Sequence, residues 1–205
     1  MVKMPEDGKA GYVRILREGL AYAAWLSVYG TGRQRELAAE FVEYTLQRAE
    51  EEGEEVYEKA REIVEEGKAR GSLTLKGFEK EVKVDGRKHK VKVIDGDAEF
   101  KRGRGGRKLL RIKIKAEVDG VRREYAITFD RDRASNEAKG YAYASADAPG
   151  GREADAERYS ALIKALTGRE PRVRRMKDGT IMIVCYEGHL EGFMRYAELA
   201  DTIMN

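Results

Sequence analysis

Cysteine occurs once in the 205 residues, at Cys185. This excludes an intrachain disulfide and any cysteine-based zinc cluster. Histidine occurs twice, at His89 and His189, and nothing in the sequence sets either beside a nucleophile, so a histidine-based active site finds no support. Asn and Gln are confined to Gln34, Gln47, Asn136 and Asn205, while charged residues make up 38% of the chain, a balance that fits a thermophilic source. Long apolar runs are missing as well. The longest, 20–29, is far shorter than a bilayer span and follows no secretory-type start, so the expectation is a cytoplasmic protein with no membrane partner.

What is present in excess is positive charge in one place. Residues 101–115, KRGRGGRKLLRIKIK, hold eight Lys or Arg and no carboxylate. By region, 1–70 carries 11 basic and 15 acidic groups (net −4), 71–140 carries 20 and 12 (net +8), and 141–205 carries 9 and 10 (net −1). A whole-chain charge of +3 hides this middle field, which points to a polyanionic partner.

The apolar spacing predicts a helical region over 1–70 and an α+β domain with a basic antiparallel sheet over 71–205. The first ten residues read as a frayed start. From 12 to 29, Val13, Leu16, Leu20 and Ala24 follow helical spacing, and Tyr22, Trp25, Leu26 and Val28 widen the stripe until the helix needs burial on more than one side. Gly-Thr-Gly at 30–32 breaks it. Helices over about 34–52 and 54–66 follow, and the acidic run at 50–55 reads as a solvated face. After Gly67 the period becomes alternating. Asp-Gly pairs at 85–86, 95–96, 119–120 and 178–179 signal hairpins between strands at about 78–84, 88–94, 97–101, 108–118, 121–129 and 139–146, with 130–138 as the longest polar connection. The last third reads α-β-β-α: a helix ending at Gly168, a hairpin across 177–179, and a single helix over about 189–204.

Alternation on 108–118 sends Ile112, Ile114 and Ala116 to one face and Arg111, Lys113 and Lys115 to the other. Lys88, Lys90 and Lys92 alternate likewise, so two strands contribute to one positive face. Like charges opposite one another destabilise a sheet. Such a face therefore implies a polyanion, unless Glu79, Glu81, Glu117 or Glu124 sits between the rows; the face is then a solvated, mixed-charge one. The glycines of 103–106 form a hairpin loop from which Arg102, Arg104 and Arg107 would track phosphates, with Lys101 and Lys108 beside them. The segment does not fit GxxxxGK followed by Ser or Thr, so no nucleotide-binding P-loop is supported. Asp95, Asp97 and Glu99 alternate as a weak cation trio, Asp95 reading better as a turn residue. Tyr141 and Tyr143 suit base stacking or cross-strand packing. The turn at 147–151 reads as a helix cap rather than an anion site, because Glu153, Asp155 and Glu157 follow it.

Three strings, EEEGEEVYEKAREIVEEG at 50–67, GRGGRKLLRIKIKAEVDGVRREYAITF at 103–129 and YASADAPGGREADAERYSALIKALTGREPRVRRMKDG at 143–179, together with HLEGFMRYAELAD at 189–201, resemble the PaRep type 2b family of hyperthermophilic archaeal paralogues. The resemblance implies a mobile-element relative and no assigned role or site residues. In architecture the helix and hairpin order also resembles the LAGLIDADG homing-endonuclease fold, which implies a curved sheet over DNA and a carboxylate ending an interface helix. The comparable helix at 19–32 ends without one, and Asp147 lies in a segment that reads as strand.

These observations converge on a non-enzymatic nucleic-acid-binding protein without cofactor or metal. Its phosphate contacts are expected from Lys88, Lys90, Lys92, Lys101, Arg102, Arg104, Arg107, Lys108, Arg111, Lys113 and Lys115. The alternative is an interaction or homo-oligomerisation module using the aromatic helix within 12–29, and a third reading is a divergent, inactive LAGLIDADG-like endonuclease.

Overall fold

A computed structural model of the chain describes residues 2–3, 12–13, 17–131 and 137–204. It divides into two compact units, Met1–Arg70 and Gly71–Asn205.

The first unit holds a short antiparallel ladder, β1 (Val2–Lys3) on β2 (Tyr12–Val13), and three helices: α1 (Arg17–Tyr29), α2 (Gly32–Glu52) and α3 (Glu54–Ala69). Tyr12 and Val13 are thus strand where helix was expected; of the expected frayed start, residue 1 and 4–10 lie outside the described residues. Leu20, Ala24, Val42, Ala49, Ala60 and Val64 form the core. Small residues at Ala21, Ala24 and Gly67 let α1 and α3 approach closely: a Cβ at Gly67 would stand 2.2 Å from the Ala21 carbonyl oxygen. The expectation that α1 is buried on several sides fails. Its aromatic side, Tyr22 and Tyr29, is exposed, because the opposite face, Leu20, Ala21 and Ala24, fills the space α2 and α3 offer.

The second unit is α+β. Seven strands form one antiparallel sheet in the order β3-β4-β5-β6-β7-β9-β8: β3 (Glu79–Val84), β4 (Arg87–Arg102), β5 (Lys108–Val118), β6 (Val121–Arg131), β7 (Ala138–Tyr143), β8 (Arg172–Arg175) and β9 (Ile181–Tyr186). Helices α4 (Gly151–Thr167), α5 (Glu187–Phe193) and α6 (Ala197–Met204) complete it. Val91, Val93, Ile112, Ile114, Ile127, Phe129, Ile183 and Cys185 project from one sheet face into a core shared with Leu162, Ile163, Leu166, Phe193 and Leu199 of the helices. Each such side chain contributes about 1.5–3 kcal/mol by leaving water. Burial pushes the Cys185 thiol up to about 12, so it is a packing group.

Asp85-Gly86 and Asp119-Gly120 both take positive φ (46° and 83°, 51° and 78°), the two-residue hairpin geometry that suits the twist of the flanking strands. Asp95-Gly96 does not turn. It lies inside the single sixteen-residue β4, next to a register shift between Val93 and Asp95. That bulge reverses the alternation, so odd residues face the core before it (Val91, Val93) and even ones after it (Gly96, Ala98), leaving Asp95, Asp97 and Glu99 outside. Gly96 is needed there for packing: a Cβ would stand 2.7 Å from Leu75 Cδ1. The expected helix over 189–204 is split at 194–196, where the 71–75 segment intervenes: Gly71 and Leu73 donate to the carbonyls of Met194 and Arg195 at 2.9 Å, and Ala197 donates back to Leu73 at 2.8 Å. Of the connection expected at 130–138, residues 132–136 lie outside the described residues.

Candidate nucleic-acid interface

Within the second unit the sheet face opposite α4, α5 and α6 is open, and strand register fixes what it displays. Lys88, Lys90, Lys92 and, beyond the bulge, Lys101 lie on β4; Arg111, Lys113 and Lys115 lie on β5. The carboxylates interleave. Glu79 and Glu117 flank Lys92, Glu81 stands opposite Lys90, and Glu124 and Asp95 stand on either side of Lys115. Lys92 pairs with Glu79 at 2.8 Å, Lys101 with Glu99 at 3.1 Å, and Lys113 with Asp97 and Glu99 at 3.1 and 3.3 Å. The bond from Lys92 holds the Glu79 carboxyl below its ordinary range, and the bond from Lys101 does the same for Glu99. Lys113 is raised in turn by Asp97 and Glu99. On β3 to β5 the basic rows are therefore a mixed-charge ladder, in which carboxylates relieve the repulsion expected between like charges. Of the Asp95, Asp97, Glu99 trio, Asp97 and Glu99 serve these lysines while Asp95 accepts from the Gly96 N–H at 3.0 Å, and among the described residues no group of three His, Cys, Asp or Glu is placed to hold a metal ion.

The 101–108 hairpin divides its charges. Arg107 is bound to Asp130 at 2.5 Å. Arg102 and Lys108 pair across the ladder on the helix side of the sheet, where Lys108 sits 3.7 Å over the Phe100 ring. Arg104 is exposed in the turn Arg104–Gly106. Along the sixteen residues of β4 the expected contacts spread over about 50 Å, so they do not form one compact cluster.

A different cluster lies toward β8. The β6–β7 ladder runs only from Arg131–Ala138 to Thr128–Tyr141. Past that point β6 stays with β5 while β7 follows β9, and the sheet forks. Tyr159 of α4 fills the base of the fork. Its hydroxyl accepts from the Ala126 N–H at 3.2 Å and donates to the Ala126 carbonyl at 3.5 Å, replacing the ladder bonds that β7 would otherwise supply. Burial raises the Tyr159 hydroxyl's pKa above its ordinary range, which keeps the proton needed for the second bond. Beneath it, buried Asp155 accepts from Arg123 at 2.5 Å and from the Ser145 N–H at 2.8 Å, and Tyr125 meets the Tyr159 ring edge-on at 4.9 Å. Asp155 is thus a clamp on the strand end, not an acid at a helix cap; Gly150 precedes α4 without any side-chain cap.

The resulting cleft, about 740 Å³, is lined by Leu109, Arg111, Ala126, Thr128, Tyr141, Tyr143 and Tyr159, with Arg107, Asp130, Arg131 and Lys139 toward one end. Tyr141 and Tyr143 are 36% and 59% exposed, so they do not serve as core. The Arg111 Nε is buried without a hydrogen-bond partner among the described residues, and the carboxylate opposite it, Glu99, is taken by two lysines. Register continues the same face past the tyrosines: Tyr141 pairs with Val184 and Val184 with Arg172, while Tyr143 pairs with Met182 and Met182 with Arg174. Both arginines are exposed. Arg172 and Arg174 were missed in the sequence because RVRR lies far from the basic run; its alternation was the available signal.

The two histidines are structural. His89 Nδ1 lies 2.6 Å from Asp119 in the β5–β6 turn, and His189 Nδ1 accepts from the Tyr186 N–H at 3.0 Å. Asp147 lies in the turn after β7.

No family model, curated protein or solved structure matches this chain.

Tyr159→Phe should leave the Ala126 N–H and carbonyl without their partner and cost about 1–3 kcal/mol, read as a lower denaturant midpoint. An unchanged midpoint would show that the fork does not depend on the hydroxyl.

Proposed function

We propose that the chain is a non-enzymatic nucleic-acid-binding protein, acting in the cytoplasm, whose contact surface is the open face of its sheet. The observation that carries this reading is the pairing of exposed Tyr141 and Tyr143 with arginines on the same face, Arg111 on one side and Arg172 and Arg174 on the other. Arginine forks suit phosphate oxygens and aromatic faces suit bases. The net charge of residues 71–205, with 29 basic and 22 acidic groups, is +7, which favours approach of a polyanion. Of the eleven basic residues expected from the sequence, Arg111 is the one at the centre of this arrangement; Lys88, Lys90, Lys115 and Arg104 extend the field, and Lys92, Lys101, Lys113 and Arg107 are engaged by carboxylates. No residue in this reading is taken from the PaRep or LAGLIDADG resemblance.

A second reading rests on α1. Tyr22 stacks on Trp25 at 5.6 Å and Trp25 meets Tyr29 at 6.0 Å, with both tyrosines exposed. Such an aromatic stripe suits self-association. If it is an interface, Trp25→Ala should lower the mass found by sedimentation; an identical mass, whether monomeric or not, would contradict that role.

Replacing Arg111, Arg172 and Arg174 with Gln should weaken DNA or RNA binding and reduce its salt dependence by about 0.7–0.9 log unit for each phosphate no longer neutralised. Replacing the ion-paired Lys92 and Glu79 together with Gln should leave both nearly unchanged. Equal binding by the folded triple variant and the wild type would overturn the assignment.

A further inference from the structure

From the fork between β6 and β7 we infer that the bound nucleic acid is single-stranded and that the cleft receives an unpaired base. This rests on the open-face reading above and narrows it. A closed sheet face offers a flat surface that meets a duplex only through its backbone. Here the face is indented at the place where its exposed aromatics stand. Ala126 and Tyr159 form the floor, Arg111 and Leu109 one wall, and Tyr141 and Tyr143 the other. The volume of about 740 Å³ is large for an amino-acid side chain and within the range of pockets that enclose small planar ligands. The charged groups Arg107, Asp130, Arg131 and Lys139 gather toward one end of the cleft, while the tyrosine rings form its other wall, so recognition of the base itself falls to ring stacking, which every base satisfies.

The flanking charges set the path. Arg111 on β5 and Arg172 on β8 are separated by four strand spacings, about 20 Å, with the tyrosines between them. A strand crossing the sheet in this direction places phosphates on arginines at both sides while a base between them turns into the cleft. A paired base is unable to do this without first leaving its stack, at a cost of a few kcal/mol. The Asp97, Glu99 and Glu79 carboxylates already engage Lys113, Lys101 and Lys92 on the β3–β5 side, so these lysines offer little free charge to the second strand of a duplex laid over the same track.

The test is fluorescence anisotropy with a labelled oligonucleotide of mixed sequence, alone and annealed to its complement, at several salt concentrations. The wild type should bind the single strand about ten-fold or more tightly than the duplex. Tyr143→Leu, at an exposed position, and the double variant Tyr141→Leu/Tyr143→Leu should each lose about ten-fold or more on the single strand and little on the duplex. Arg172→Gln/Arg174→Gln should weaken both and lower the single-strand salt slope by about 0.7 for each phosphate left without its arginine. Equal affinity for the two forms, or a single-strand affinity untouched by the folded Tyr143→Leu protein, would overturn the base-in-cleft inference while leaving phosphate binding by the open face intact. Absence of salt-sensitive binding to either form would overturn both.

Discussion

One tyrosine hydroxyl on the backbone of Ala126 lets an antiparallel sheet come apart in its middle. A buried N–H and carbonyl abandoned by a neighbouring strand are expensive, each costing about 1–3 kcal/mol if left without a partner. Tyr159 reaches them from α4 at 3.2 and 3.5 Å, and the Asp155–Arg123 pair holds that helix end and the Ser145 strand end in place. With those groups satisfied, β7 is free to leave β6 after Thr128–Tyr141 and join β9. The cleft, the exposure of Tyr141 and Tyr143, and the position of Arg172 and Arg174 on the same face all follow from that departure.

Electrostatics divides the open face into two halves of different character. Around β3 to β5 each lysine row meets carboxylates across the ladder, and the surface behaves as a mesh of ion pairs, each worth little by itself. Past the fork the carboxylates thin out and arginines flank aromatic rings. A polyanion gains little by displacing Glu79 from Lys92 or Glu99 from Lys113. It gains more from Arg111, whose guanidinium lies in the cleft with its Nε unpartnered among the described residues.

Much of the architecture was legible in the sequence because alternation and turn chemistry are local. The α+β class, the helix ending before Gly168 and the hairpins at Asp85-Gly86 and Asp119-Gly120 follow from spacing alone. Asp95-Gly96 carries the same dipeptide, yet its role was set by Leu75 packing on the glycine and by a bulge, both tertiary facts. The break at 194–196 was hidden for a similar reason, since it depends on hydrogen bonds from residues 71 and 73. The basic run at 101–115 drew attention to charge density, whereas charge availability depends on cross-strand partners that register alone decides. Lys113 and Arg111 are two residues apart in sequence; one is held by Asp97 and Glu99, and the other opens into the cleft. Arg172 and Arg174 reach the same face through three intervening strands, a neighbourhood that no linear spacing announces.

The most direct test of the open-face account is photo-crosslinking of a short single-stranded oligonucleotide at saturating concentration, with the modified residues mapped by mass spectrometry. The account predicts adducts on the peptide containing Tyr141 and Tyr143 that disappear when unlabelled single strand competes. Adducts confined to the helices of residues 17–69, or to the ion-paired β3–β4 hairpin, would contradict it.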